Sequence, residues 1–95
     1  TDAFVVALGE EAQGAAFKLL TKLRQAGLKA GMDYAGRSMK AQMKQANKAN
    51  ARFALIIGED EVKEACVQLK DMEKSEQEKV SFDNIIEKLC AEVKG

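Results

Sequence analysis

Arg37, Lys40, Lys44 and Lys48 recur at steps of three and four residues. At ~100° per helical residue, this spacing gathers the four cations on one face. They could neutralise phosphates, each contact on a single strand adding ~0.7 to the log–log salt slope. The same stripe also fits an ordinary solvated helix face. Tyr34 lies in a stretch that reads as a loop, where it could stack on a base. Phe4, Phe17, Phe53 and Phe82 fall in apolar patterns that predict core packing. The chain has no histidine, which excludes serine–histidine and cysteine–histidine catalysis. Cys66 and Cys90 belong to no CxxC pair and read as core thiols, against a zinc site or a disulfide framework. Glu59, Asp60 and Glu61 lack the spaced ligands of a calcium loop and read as a solvated acidic turn. The glycines form neither GxGxxG nor GxxxxGK[ST], so nothing marks a dinucleotide or phosphate loop.

Formal charge sums to zero but is unevenly spread. Residues 34–58 carry Arg37, Lys40, Lys44, Lys48 and Arg52 with no acid, whereas residues 59–95 hold eleven acids against six bases. A polyanion would therefore meet a local basic surface, not a basic protein. With 95 residues, 46% of them hydrophobic and 32% charged, the composition fits one globular domain over 1–95. The chain opens without an initiator Met and enters a strand-like run at once, so it is expected to be part of a longer protein. Neither a transmembrane run nor a leader opens it, and a cytoplasmic location is expected.

The elements that would position these residues follow from periodicity. Residues 3–8 form an apolar run ended by Gly9, as in a strand buried on both faces. Ala12, Ala16, Leu19, Leu20 and Leu23 then recur at helical spacing, with Gly27 as the stop. Residues 28–33 read as a shorter edge strand and 34–37 as a loop. Ser38 can cap a helix over 38–49 whose apolar side is Met39, Met43 and Ala46. Residues 52–58 give the strongest buried-strand signal and predict the central strand. Residues 66–72 alternate, a polar turn follows over 73–76, and a short strand near 77–80 leads to a last helix with Phe82, Ile85, Ile86, Leu89 and Val93. The order is βαβαβββα with three helices. Right-handed crossovers and tight turns make strands one to three parallel and the fourth antiparallel, in a mixed five-stranded sheet of order 2-1-3-4-5.

Several segments carry a resemblance across nearly the whole chain, in order: VVALG at 5–9, DYAGRSMKAQMK at 33–44, ARFALIIGEDE at 51–61, VQLKDM at 67–72, and the EQE turn at 76–78. Together they resemble histidyl-tRNA synthetases. The resemblance implies the three-layer α/β/α anticodon-binding domain of class II aminoacyl-tRNA synthetases, C-terminal to a catalytic domain outside this sequence. The whole enzyme, a homodimer acting in protein biosynthesis, would be a histidine–tRNA ligase that attaches histidine to its tRNA with ATP and Mg. The present segment would need no cofactor, carry no catalytic or metal-binding residue, and bind neither DNA nor membrane.

By position the resemblance assigns anticodon contacts to Tyr34, Gly36 and Arg37, then Glu61, then Gln68 and Lys70. Glu61 and Lys70 match base-reading positions of the related threonine-specific enzymes, although Lys70 stands where those have arginine and Gly36 where a side chain could hydrogen-bond. A carboxylate such as Glu61 could accept from a base amino or imino group, Lys70 could meet a carbonyl oxygen or phosphate, and Lys40 and Lys44 could hold the stem backbone. Two other readings stay open from the residues: a synthetase-like protein-interaction or regulatory module without tRNA binding, and a small-molecule-binding α/β domain.

Overall fold

The computed structural model describes residues 1–33 and 38–94. Its elements are β1 (Ala3–Ala7), α1 (Glu10–Gln25), β2 (Ala30–Met32), α2 (Met39–Lys48), β3 (Phe53–Ile57), α3 (Glu59–Glu64), β4 (Cys66–Asp71), β5 (Glu76–Ser81) and α4 (Phe82–Lys94). One five-stranded sheet runs β2-β1-β3-β4-β5, as the pattern of apolar runs and turns requires. The first three strands are parallel, while β4 runs antiparallel to β3 and β5 antiparallel to β4.

Alternation along the strands divides the core between two faces. Val5 and Ala7 of β1, Leu55 and Ile57 of β3, and Val67 and Leu69 of β4 pack with Leu20 and Leu23 of α1 and Ile85 and Leu89 of α4. Phe4, Val6 and Ile56 point the other way, onto Ala46 of α2 and Ala51. Helices α1 and α4 thus cover one face and α2 the other. On the α2 face, β4 and β5 present Gln68, Lys70, Gln77 and Lys79, all exposed or half-buried.

Both parallel-layer helices stop where the backbone turns left-handed. After α1, Gly27 takes φ 87°, its N–H bonding Arg24 O while Leu28 N–H reaches Leu23 O. After α2, Asn50 at φ 53° repeats the arrangement with Asn47 O and, through Ala51 N–H, Ala46 O. These paired bonds satisfy carbonyls that would otherwise be orphaned at the helix end.

Five expectations from the sequence change. Residues Glu59–Glu64 form a helical turn and a half, not a loop, so the fold has four helices among the described residues. Three acids in its first turn suit the positive end of the helix dipole, and Ala65 ends it at φ 52°. Phe17 is 56% exposed instead of packed in the core, because it lies roughly 120° around α1 from the buried stripe of Ala12, Ala16, Leu19, Leu20 and Leu23. On α2 the buried residues are Gln42 and Ala46; Met39 is exposed and Met43 only packs at the margin. Finally β2 shrinks to three residues, and of the two thiols only Cys66 is buried, Cys90 being half-buried.

Candidate nucleic-acid interface

Because β1, β2 and β3 are parallel, their carboxyl ends meet at one end of the sheet, the usual place for a ligand in an α/β fold. The antiparallel β4 begins there. Gln42 ties α2 to that end. Its side chain is fully buried, Ala7 N–H donating to Gln42 Oε1 at 2.9 Å and Gln42 Nε2 donating to Ala7 O at 2.8 Å. Pairing with β2 ends at Val5 opposite Met32, so this amide takes the place of the next peptide unit of β2. Helix α2 itself is capped by Ser38 Oγ, which accepts from Ala41 N–H at 3.3 Å.

With Gln42 and Ala46 turned inward, Lys40, Lys44 and Lys48 are exposed on the outer side of α2. None of them makes an ion pair among the described residues. Other cations are engaged. Arg52 sits over the Phe53 ring at 5.1 Å and donates to Glu92 O at 2.9 Å, so it serves α4 and does not extend the stripe. Lys88 pairs with Glu78 at 2.8 Å and Lys79 with Glu64 at 2.9 Å. The Lys79 hydrogen bond, and then its charge, holds the Glu64 carboxyl below the usual carboxylate range, and the reciprocal contacts raise Lys79. Burial pushes the neighbouring Cys66 thiol up, which leaves it a poor nucleophile.

Lys70 lies on the same sheet face as α2, opposite Ala54, and Gln68 lies opposite Ile56. Lys70 is half-buried and free of ion pairs among the described residues. Glu61 occupies the third position of α3, where its Oε1 accepts from Gly58 N–H at 2.9 Å. This reciprocal half of a capping box leaves the second carboxylate oxygen for another donor. The structure therefore brings Lys40, Lys44, Gln68 and Lys70 to one side of the sheet and sets Glu61 at its carboxyl end. Tyr34, Gly36 and Arg37 lie outside the described residues. Sequence patterns alone passed over Gln42, hidden inside a polar helix, and Gln77 and Lys79, whose places follow only from strand register.

The arrangement defines an α/β module with a cationic flank and a polar sheet face. A family profile described as an anticodon binding domain matches residues 2–92, and the chain belongs to that family. Among curated proteins, histidine–tRNA ligase of Natranaerobius thermophilus is 52% identical over 88 residues, 93% of this chain and 21% of the relative. Among solved structures, a histidyl-tRNA synthetase from a Nostoc species superposes with a TM-score of 0.90 at 30% identity, covering 98% of this chain and 22% of the other. The apo S. aureus histidyl-tRNA synthetase gives 0.87 at 39%, covering 93% and 26%. The chain thus spans about a fifth of the length of the curated relatives it matches.

Proposed function

We propose that this chain is the anticodon-reading part of a cytoplasmic histidine–tRNA ligase and holds the anticodon stem-loop of histidine tRNA on the α2 side of its sheet. The observation that carries this reading is the set of cations without an ion pair among the described residues, Lys40, Lys44, Lys48 and Lys70, on one side of a domain of the anticodon-binding family. The lysines of α2 follow the stem backbone. They fix register without reading sequence. Splayed loop bases meet the carboxyl end of the sheet, where Glu61 accepts from an amino or imino group and Gln68 and Lys70 approach a carbonyl oxygen or a phosphate. Tyr34, Gly36 and Arg37, outside the described residues, add further contacts to the anticodon. Histidine activation belongs to the part of the ligase beyond this segment, together with its ATP and magnesium and its homodimer contacts. Among the described residues no group of three His, Cys, Asp or Glu could hold a metal ion, and no helix among them is long and apolar enough to cross a membrane.

The test is fluorescence anisotropy of this chain with the stem-loop of histidine tRNA and with that of another tRNA, over a salt series. The expected result is tighter binding of the histidine stem-loop, with a slope on log salt set by the lysine contacts. Equal affinity for both at every salt concentration refutes specific recognition and leaves the protein-interaction module as the better reading.

A further inference from the structure

On the open face of β4 and β5, Gln77 Nε2 donates to Gln68 Oε1 at 3.3 Å. The two residues are diagonal neighbours, since Gln68 stands directly opposite Lys79 and Lys70 directly opposite Gln77. Such diagonal pairs are within reach of long side chains. The ammonium of Lys79, directly opposite Gln68, is drawn to Glu64 at 2.9 Å. The contact with Gln77 thus holds the Gln68 amide with its oxygen toward Gln77 and leaves its Nε2 hydrogens to donate. An unrestrained glutamine offers a donor and an acceptor equally, by a half-turn of the amide. A restrained one presents its donor at a fixed place.

We infer that Gln77 is a positioning residue for base reading, fixing the Gln68 amide so that it donates to the keto oxygen of a splayed nucleobase. The inference rests on the RNA-binding reading above and names its chemistry. Guanine and uracil carry a keto oxygen where adenine and cytosine carry an amino group, so a fixed donor separates the two classes. Gln77 acts through Gln68, without touching the base.

The experiment titrates this chain with the histidine-tRNA stem-loop and with versions in which each anticodon position is switched between keto and amino bases. The proteins are wild type, Gln68→Ala, Gln77→Ala, the double variant and Gln77→Lys. At one position the wild type is expected to prefer the keto base by about five- to tenfold, the value of one hydrogen bond. Gln68→Ala, Gln77→Ala and the double variant are expected to lose that preference to the same extent, the non-additivity of residues acting as a unit. Gln77→Lys retains a donor for Gln68 Oε1 and is expected to keep the preference while binding every stem-loop more tightly. Gln77 is exposed and Gln68 lies on the solvent-facing side of β4, half-buried, so these variants are expected to fold as the wild type does. Wild-type preference surviving in Gln77→Ala overturns the inference alone, as does its loss in Gln77→Lys, which would mean that the Gln77 amide itself meets the base. A wild type that treats the histidine stem-loop and an unrelated one alike overturns the RNA reading, and this inference with it.

Discussion

Replacing Gln42 tests whether one buried amide holds α2 against the sheet. In Gln42→Leu the volume is nearly conserved, so the cavity contribution is small. What is lost is polar satisfaction. Ala7 is only 2% exposed, and its N–H and C=O each lose a partner at 2.9 and 2.8 Å. An unsatisfied buried group costs ~1–3 kcal/mol, so the pair amounts to about 2–4 kcal/mol. Against a total of ~5–15 kcal/mol this is a large fraction, equivalent to a fall in Tm on the order of 10–20 °C for a domain of this size. Urea unfolding followed by circular dichroism measures it as a lower midpoint at unchanged slope. Gln42→Glu supplies the control, because a protonated carboxyl can still accept from Ala7 N–H and donate to Ala7 O, whereas the carboxylate cannot donate. Burial raises the folded-state pKa of that carboxyl above its unfolded value of ~4.3. Its contribution is therefore fully present below that pH and is lost as pH rises through the folded pKa. The decline is about 1.4 kcal/mol per unit within the window. The variant should match wild type near pH 4 and weaken progressively above it. A Gln42→Leu protein within about 0.5 kcal/mol of wild type, the usual range for unimportant substitutions, or a pH-independent gap for Gln42→Glu, would refute the reasoning.

Gly14 is exposed in the middle of α1 with nothing within 4 Å of an added Cβ, so Gly14→Ala should stabilise by about 0.5–1 kcal/mol in the same unfolding assay. Glu61→Gln keeps an oxygen for Gly58 N–H and should leave stability within about 0.5 kcal/mol, whereas Glu61→Ala should cost about 1 kcal/mol; on the proposed function both variants alter base preference in stem-loop titrations. Lys44→Ala should weaken all stem-loops alike and lower the salt slope by ~0.7, while Lys70→Ala should chiefly reduce discrimination. The Glu64–Lys79 contact is present above the ordinary carboxylate range and breaks as pH falls through the depressed Glu64 value. An NMR titration of Glu64 should show its midpoint return upward in Lys79→Met.

Strand order was legible in the sequence because the buried strands announce themselves: residues 3–7 and 53–57 are uninterrupted apolar runs that only a doubly covered sheet can hold. The short helix at Glu59–Glu64 was not, since it buries none of its residues and has no apolar stripe to reveal it. Phe17 misled for a related reason: in a helix rich in apolar residues, a large one reads as a member of the buried stripe even when it faces away from it. Of the candidate site, the lysines of α2 were visible as a spacing pattern. The readings of Glu61, Gln68 and Lys70 came from family resemblance. The Gln77–Gln68 contact depends on antiparallel register, which no local pattern of polar residues specifies.

That register has an unusual origin. Four of the six residues of β5 are exposed and none is fully buried, so side-chain burial does little to choose one alignment over its neighbours. The turn before it supplies the missing information. Asp71 Oδ1 accepts from Glu73 N–H at 3.0 Å and from Lys74 N–H at 3.1 Å, Asp71 O accepts from Ser75 N–H at 2.8 Å, and Ser75 bends the chain at φ 57°. A surface turn thereby acts as the ruler for the hairpin. A one-residue slip of β5 against β4 would send Gln77 to the opposite face and turn Val80, which packs against the core, away from it. Length variation at this exposed tip, where it would ordinarily be tolerated, is expected to rewrite what the sheet can read.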